Sequence, residues 1–176
     1  MKILAVQNRM GIGDMIIFLP FIEAISKKFD SPVSILVKQN TKSSEILKNN
    51  SCIDKIIFLD RNDRTKEGRH FGFIGTLNLA SDIQKYNFDK VFIFNSSLRF
   101  RLIMKIAKIK DIYQYKLFDK KKQNIIKAAQ DFLKKSINLD VESKPAISIS
   151  PKDINEAFLK YNIVKKNINI LLGIGG

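Results

Sequence analysis

The sequence predicts an α/β protein built on a doubly wound parallel sheet, and two observations carry that reading. The first is a set of short apolar runs, "KILAV" (2–6), "VSILV" (33–37), "KIIFL" (55–59) and "KVFIF" (90–94). None alternates polar with apolar residues, and continuous β-branched and aromatic runs of this length fit parallel strands buried on both faces. The second is helical periodicity between the runs. Ile22, Ile25 and Phe29 are three and four residues apart, and Leu77, Ile83 and Tyr86 follow the same period less cleanly. Strands alternating with helices make βαβ units and a twisted parallel sheet.

Later elements are less regular. "DIYQYK" (111–116) reads as a strand with a polar face, and "DKKKQ" (119–123) as a basic helix start. Ile125, Ala129, Phe132 and Ile137, with Ile126 and Leu133 beside them, mark an amphipathic helix. "SPKDINEAFLKYNI" (150–163) opens a further helix, with Ser150 as cap, Pro151 in the first helical position and Asp153 at the positive end. "NINILLGIGG" then reads as a buried strand running into glycines. Length alone does not choose between the start of a second domain and a frayed last strand.

Composition bounds the function. Across 176 residues, 31 Lys and Arg face 17 Asp and Glu, a formal net charge of +14. Such a field attracts polyanions: nucleic acid, an anionic membrane or a phosphorylated substrate. The single Cys52 excludes an internal disulfide and, with a single His, any Cys/His zinc site. No run approaches the ~20 apolar residues of a membrane span, and the start "MKILAVQNRM" lacks the apolar core of a signal peptide. The expectation is a soluble, cytoplasmic, basic protein.

The motif richest in chemistry is "GIGD". Gly11 and Gly13 follow the first strand and precede a helix, where glycine permits a tight turn and close approach of a ligand. It is not a dinucleotide fingerprint, because the third glycine is missing and the second strand ends "VKQN" without an acid. It is not a P-loop either, since no Gly-Lys-Ser/Thr follows. Asp14 would repel a phosphate at that helix mouth. Spacing alone favours a capping role for Asp14, and the helix dipole would also keep it ionised, as a general base must be. Pro20 either kinks a helix that begins near Asp14 or marks a helix that begins at Leu19.

Two further stretches carry charge. "NSSLRFR" (95–101) places Asn95 and Ser96 at a strand end, with Arg99 and Arg101 behind them, either to hold an anion or as a cap and a solvated basic face. The loop 60–70 holds Arg61, Arg64, Lys66, Arg69 and His70. His70 has no acid–nucleophile partner visible in the sequence and is not placed in a triad.

Taken in order, "KILAVQNRMGIGDMIIFLPFIEAISKKF", "VSILVKQNTKSSEIL", "NNSCIDKIIFLD", "YNFDKVFIFNSSLRFRLIMKIAKI" and "ILLGIGG" resemble the N-terminal half of the lipopolysaccharide heptosyltransferases. These are glycosyltransferases of family nine, of GT-B type. The resemblance implies a Rossmann-like acceptor-binding domain over 1–150 and an interdomain helix over 151–166. It implies that 167–176 is the first strand and glycine turn of a donor-binding domain that the sequence lacks. It implies inverting transfer from an ADP-sugar to an anionic glycolipid such as a lipopolysaccharide core, with no metal and no cofactor. Asp14 takes the place of the family's base, and Gly11 and Gly13 give the acceptor room. Arg61, Arg64, Arg99, Asn95 and Ser96 are acceptor-binding candidates. Arg9 stands near the family's strand-end arginine, and Gly173, Gly175 and Gly176 match its donor-phosphate turn.

The same resemblance implies a peripheral place on the inner membrane, no nucleic-acid partner, and an isolated chain that is inactive without its donor domain. The alternatives from other classes are a basic nucleic-acid-binding domain and a non-catalytic nucleotide-binding α/β module. No helix-turn-helix, zinc spacing or aromatic–basic sheet motif supports the former.

Overall fold

The computed structural model describes residues 1–61, 68–116, 124–164, 166 and 169. Five parallel strands form one sheet: β1 (Ile3–Val6), β2 (Val33–Val37), β3 (Ile53–Phe58), β4 (Lys90–Ile93) and β5 (Asp111–Gln114). Their order is β3-β2-β1-β4-β5. β1 pairs with β2 from Ile3↔Val33 to Val6↔Leu36, and with β4 from Ile3↔Lys90 to Val6↔Ile93. β1 and β2 are buried at every residue, which is why they read as unbroken apolar runs. β3 and β5 are the sheet edges and are only partly buried. This is the α/β, Rossmann-like arrangement expected from the sequence.

Six helices surround the sheet among the described residues: α1 (Ile12–Phe29), α2 (Ser43–Ile46), α3 (Gly72–Gln84), α4 (Leu98–Ile106), α5 (Ile125–Ile137) and α6 (Pro151–Lys160). α1 and α5 cover one face, burying Phe18, Phe21, Ile22, Phe132 and Leu133 against Ile3, Ala5, Ile35 and Phe92. α3 and α4 cover the other, where Leu79, Ile83, Phe100 and Ile103 pack on Leu4, Val6, Leu36 and Val91. Pro20 is buried inside a continuous α1, so that helix begins well before Leu19. Ser150 caps α6 as expected, accepting a hydrogen bond at 3.0 Å from the Asp153 backbone N–H.

Some expectations need correction. Asp14 is not the cap of α1. Gly11 occupies the cap position with φ 93°, the helix starts at Ile12, and no side chain caps it. A left-handed φ is strained for any residue with a Cβ, so the glycine fixes the start and leaves Asp14 in the first turn. Leu77 is not part of the buried stripe of α3. It is 45% exposed, and the inward face is Gly75, Thr76, Leu79, Ala80 and Ile83. The basic stretch 119–123 and the glycine strand 170–176 lie outside the described residues.

Gly75 marks the tightest approach in the fold. A Cβ there would lie 2.2 Å from the backbone carbonyl carbon of His70. Backbone cannot yield as a side-chain tip can, so Gly75→Ala should destabilise the protein by about 2–3 kcal/mol. Urea unfolding followed by circular dichroism checks this. A loss under half a kilocalorie per mole (about the scatter of a neutral surface change) would show that α3 shifts freely.

Candidate functional site

The strand order reverses between β1 and β4, because β1 leads to β2 on one side while β4 continues to β5 on the other. In open α/β sheets the crevice beyond the carboxyl ends of the strands at such a switch point is the usual ligand site. A cleft of about 380 Å³ opens there, between β1, β4, β5 and α5. Its mouth is bridged by Asn95, whose Nδ2 donates to Asn8 Oδ1 at 3.1 Å and so ties the ends of β4 and β1 together.

The floor of the cleft is aromatic. Phe18, Phe94, Tyr115 and Phe132 all line it. Phe94 meets Phe18 edge-on at 5.3 Å and Phe132 at 5.5 Å, and Tyr115 meets Phe132 at 5.0 Å. These contacts set the rings edge against face and leave an apolar base. The rim is polar and carries three cations: Arg9, Lys116 and Lys135 stand with Asn95, Ser96 and Gln114. Asp131 is the acid on it, and Lys127 pairs with that carboxylate at 2.9 Å.

Two polar atoms of the cleft have no partner among the described residues, the Tyr115 hydroxyl and Gln114 Oε1, both buried. Gln114 is held in place by its other end, where Nε2 donates to the Ser97 carbonyl at 2.9 Å. Burial pushes the Tyr115 hydroxyl well above the ordinary tyrosine value, and nearby Arg9 partly opposes that. A neutral phenol and an amide oxygen left unpaired in a cleft are ready partners for ligand hydroxyls. Gln7, at the end of β1, is a further buried amide with neither polar atom paired among the described residues. None of Gln7, Gln114 and Tyr115 was signalled by the sequence, where they read as ordinary strand-end residues.

Asp14 sits one helical turn before Phe18, and residues four apart share a face of a helix. Asp14 is half-buried at the carboxyl end of β1, near where the cleft opens, and is not among the residues that line it. It makes no hydrogen bond or ion pair among the described residues. The Cβ positions at Gly11 and Gly13 meet nothing within 4 Å, so the turn beside Asp14 is open. Thus Asp14, Gly11, Gly13, Arg9, Asn95 and Ser96 come together at one end of β1 and β4.

Other sequence candidates lie elsewhere. Arg99 Nε donates to Thr76 Oγ1 at 3.0 Å, and its Nη2 donates to the His70 carbonyl. That side chain binds α4 to α3 on the opposite face of the sheet. Arg61 lies 5.9 Å from the centre of the Phe71 ring and does not line the cleft. Arg64, Gly173, Gly175 and Gly176 lie outside the described residues.

His70 does have an acidic neighbour. Its Nε2 is 3.2 Å from Asp82 Oδ2, while its Nδ1 accepts from the Asp60 backbone N–H at 3.0 Å. A backbone N–H can only donate, so Nδ1 is unprotonated and Nε2 carries the proton. With both nitrogens engaged, His70 has none left to act as a base. Asp82 also accepts from Arg69 at 2.9 and 3.0 Å and from Lys85 at 3.0 Å. The cluster ties the segment before α3 to the helix itself.

No protein-family model matches the chain, and no curated protein matches it in sequence. Solved structures do match. A family 9 glycosyl transferase from Veillonella parvula is 16% identical with a TM-score of 0.67, covering 95% of this chain and 51% of that one. The E. coli ADP-heptose lipopolysaccharide heptosyltransferase II is 12% identical with a TM-score of 0.61, covering 94% and 52%. E. coli heptosyltransferase WaaC, solved with ADP-2-deoxy-2-fluoro heptose, is 13% identical with a TM-score of 0.53, covering 94% and 56%. At these identities the likeness is one of fold, and the chain spans about half the length of each neighbour.

The Asp82 cluster carries a pH signature. Hydrogen bonding from Arg69, foremost, holds the Asp82 carboxyl below its ordinary value of 3.8. A depressed carboxyl stabilises the fold above its unfolded value, and that contribution is lost as pH falls toward the folded value. Asp82→Asn should cost about 1–2 kcal/mol at neutral pH. It should also flatten the fall in stability that begins near pH 3.8. Urea midpoints measured from neutral pH downward read both effects, and parallel curves for the two proteins would contradict the assignment.

Proposed function

We propose that this chain is the acceptor-binding half of a heptosyltransferase-like glycosyltransferase, one that moves a sugar from an ADP-sugar to an anionic glycolipid with inversion. The observation that carries the reading is Asp14. Its carboxylate makes no hydrogen bond or ion pair among the described residues and lies beside an open glycine turn, at the end of β1 where the cleft opens. The shared fold with the family 9 transferase and the two heptosyltransferases supports it, as does the order of the sequence motifs.

The chemistry follows from the parts. A sugar hydroxyl is a weak nucleophile, and a positioned carboxylate assists by taking its proton as the oxygen attacks. Inversion is a single displacement, so one base is sufficient and no covalent partner is needed. The hydroxyl oxygen bonds to the donor's anomeric carbon, the bond from that carbon to the diphosphate breaks, and Asp14 receives the proton. In this reading the ring floor of Phe18, Phe94, Tyr115 and Phe132 receives the apolar face of an acceptor sugar. Tyr115, Gln114, Asn95 and Ser96 meet its hydroxyls, and Arg9, Lys116 and Lys135 meet its carboxylates or phosphates. The donor would be held by a second half, joined through 151–166, with Gly173, Gly175 and Gly176 approaching its diphosphate. The reading calls for no metal and no cofactor, since the ADP-sugar is itself a substrate.

Two measurements test this. In the chain joined to a donor-binding half, Asp14→Asn should lower turnover on the order of a hundredfold while acceptor binding and the circular dichroism spectrum stay unchanged. Unchanged turnover would leave Asp14 only a charge at a helix dipole. In the 176-residue chain, Arg9→Ala should weaken calorimetric binding of a phosphorylated core oligosaccharide about tenfold. Equal affinity would remove Arg9 from the acceptor site.

A further inference from the structure

The α3–α4 face of the sheet ends in an apolar surface that the core does not use. Phe73 is 76% exposed, Ile74 73% and Leu77 45%, all in the first half of α3. On α4, Leu98, Leu102 and Ile106 are also exposed, spaced four residues apart along one stripe. The two helices pack against each other, and Arg99 fastens α4 to α3 through Thr76 and to the segment before α3 through the His70 carbonyl. The six side chains therefore belong to neighbouring, rigidly joined elements. Contiguous exposed apolar residues on this scale mark an interaction surface.

Charge identifies the partner. The stretch 98–110, "LRFRLIMKIAKIK", holds five cations and no acid. Of these, Arg101, Lys105, Lys108 and Lys110 make no ion pair among the described residues. The acid of α3, Asp82, is already neutralised by Arg69 and Lys85. Apolar side chains bordered by unpaired cations, on a chain of net charge +14, complement a surface that is apolar beneath and anionic above. An apolar protein partner would explain the exposed rings but not the run of cations without an acid. No described helix is long and apolar enough to cross a bilayer, so contact would be made from one side.

We propose that the α3–α4 face docks on an anionic lipid bilayer, with Phe73, Ile74, Leu77, Leu98 and Leu102 entering the interface and Arg101 and Lys105 meeting lipid phosphates. α3 and α4 begin where β3 and β4 lead out, at the same end of the sheet as Asp14 and the cleft. The bilayer would thus lie beside the mouth of the cleft. The surface stands on exposure and charge and does not depend on the role of Asp14.

The chain has no Trp, so Phe73→Trp installs a sole reporter at the surface, and Leu159→Trp on exposed α6 serves as its control. Vesicles of phosphatidylglycerol should shift the indole emission of the Phe73→Trp protein to the blue and leave the control unmoved, while phosphatidylcholine vesicles shift neither. In flotation at about 0.1 M salt, Phe73→Ser with Leu102→Ser should reduce partition into phosphatidylglycerol vesicles on the order of tenfold. Arg101→Glu with Lys105→Glu should do the same. Circular dichroism confirms that each variant is folded. An unmoved reporter overturns the proposal, as does equal partition of the wild type and both double variants. So does a dimer in light scattering that Phe73→Ser with Leu102→Ser dissolves, since a second copy would then cover the face.

Discussion

The turn at Gly11 is the constraint on which the rest of the site depends. β1 lies in the middle of the sheet, with partners on both sides, and the chain must leave it and enter a helix within a few residues. Gly11 does so with φ 93°, in a region where a Cβ is strained. Space is not the reason for glycine there, since an added Cβ would meet no described atom within 4 Å. The backbone angle is. Fixing the helix start at Ile12 sets the phase of everything after it. Met15, Phe18, Leu19 and Ile22 turn inward onto the sheet, and Asp14 is left half-buried in the first turn, four residues before Phe18. Phe18 then meets Phe94 at the end of β4, so one turn places both the carboxylate and the first ring of the cleft floor.

The two faces of the sheet are held differently. The α1–α5 face is packed by apolar side chains and edge-to-face rings, with Asn50 Nδ2 donating to Glu23 of α1 and Gln130 Nε2 of α5 donating to the Val141 carbonyl. On the α3–α4 face, the helix comes so near the preceding segment that only glycine fits at position 75. Polar bonds reinforce that approach: Arg99 reaches across to the His70 carbonyl, and Asp82 collects His70, Arg69 and Lys85. In a chain with so large an excess of cations, self-repulsion works against the compact state. An acid that serves two cations at once is a local answer to that repulsion.

What the sequence showed, and what it hid, follows from how far each feature reaches along the chain. The strands were legible because burial on both faces leaves an unbroken apolar run, and β1 and β2 are buried throughout. The α6 cap was legible because Ser150 bonds a residue three positions on. Asp14 was misread as a cap because the start of α1 is decided by a backbone angle at Gly11, not by the side-chain preference of the acid. Arg99 read as an acceptor-binding candidate or a cation on a solvated face, whereas its partners, Thr76 and His70, are 23 and 29 residues away. The cleft was the least legible feature. Phe18, Phe94, Tyr115 and Phe132 come from four separate parts of the chain and no local pattern joins them, and Gln114 and Tyr115 matter only because burial leaves Gln114 Oε1 and the Tyr115 hydroxyl without a partner among the described residues.

The sheet also divides two kinds of surface. On its α1–α5 side the switch point opens into a cleft with a ring floor, unpaired hydroxyl and amide groups and a cationic rim, which is chemistry for a hydroxylated anion. On its α3–α4 side the same end of the sheet presents apolar side chains among cations without acids, which is chemistry for a lipid surface. A glycolipid acceptor has both characters in one molecule, a hydrated, charged saccharide joined to an anchor that stays in the bilayer. An enzyme that drew such a molecule wholly into solution would bear the cost of exposing its acyl chains, about 0.8 kcal/mol for each methylene. An enzyme that settles beside the bilayer avoids that cost, because only the saccharide has to move. With the docking face and the cleft at one end of the same rigid sheet, the proposed site and the proposed surface satisfy a single physical requirement.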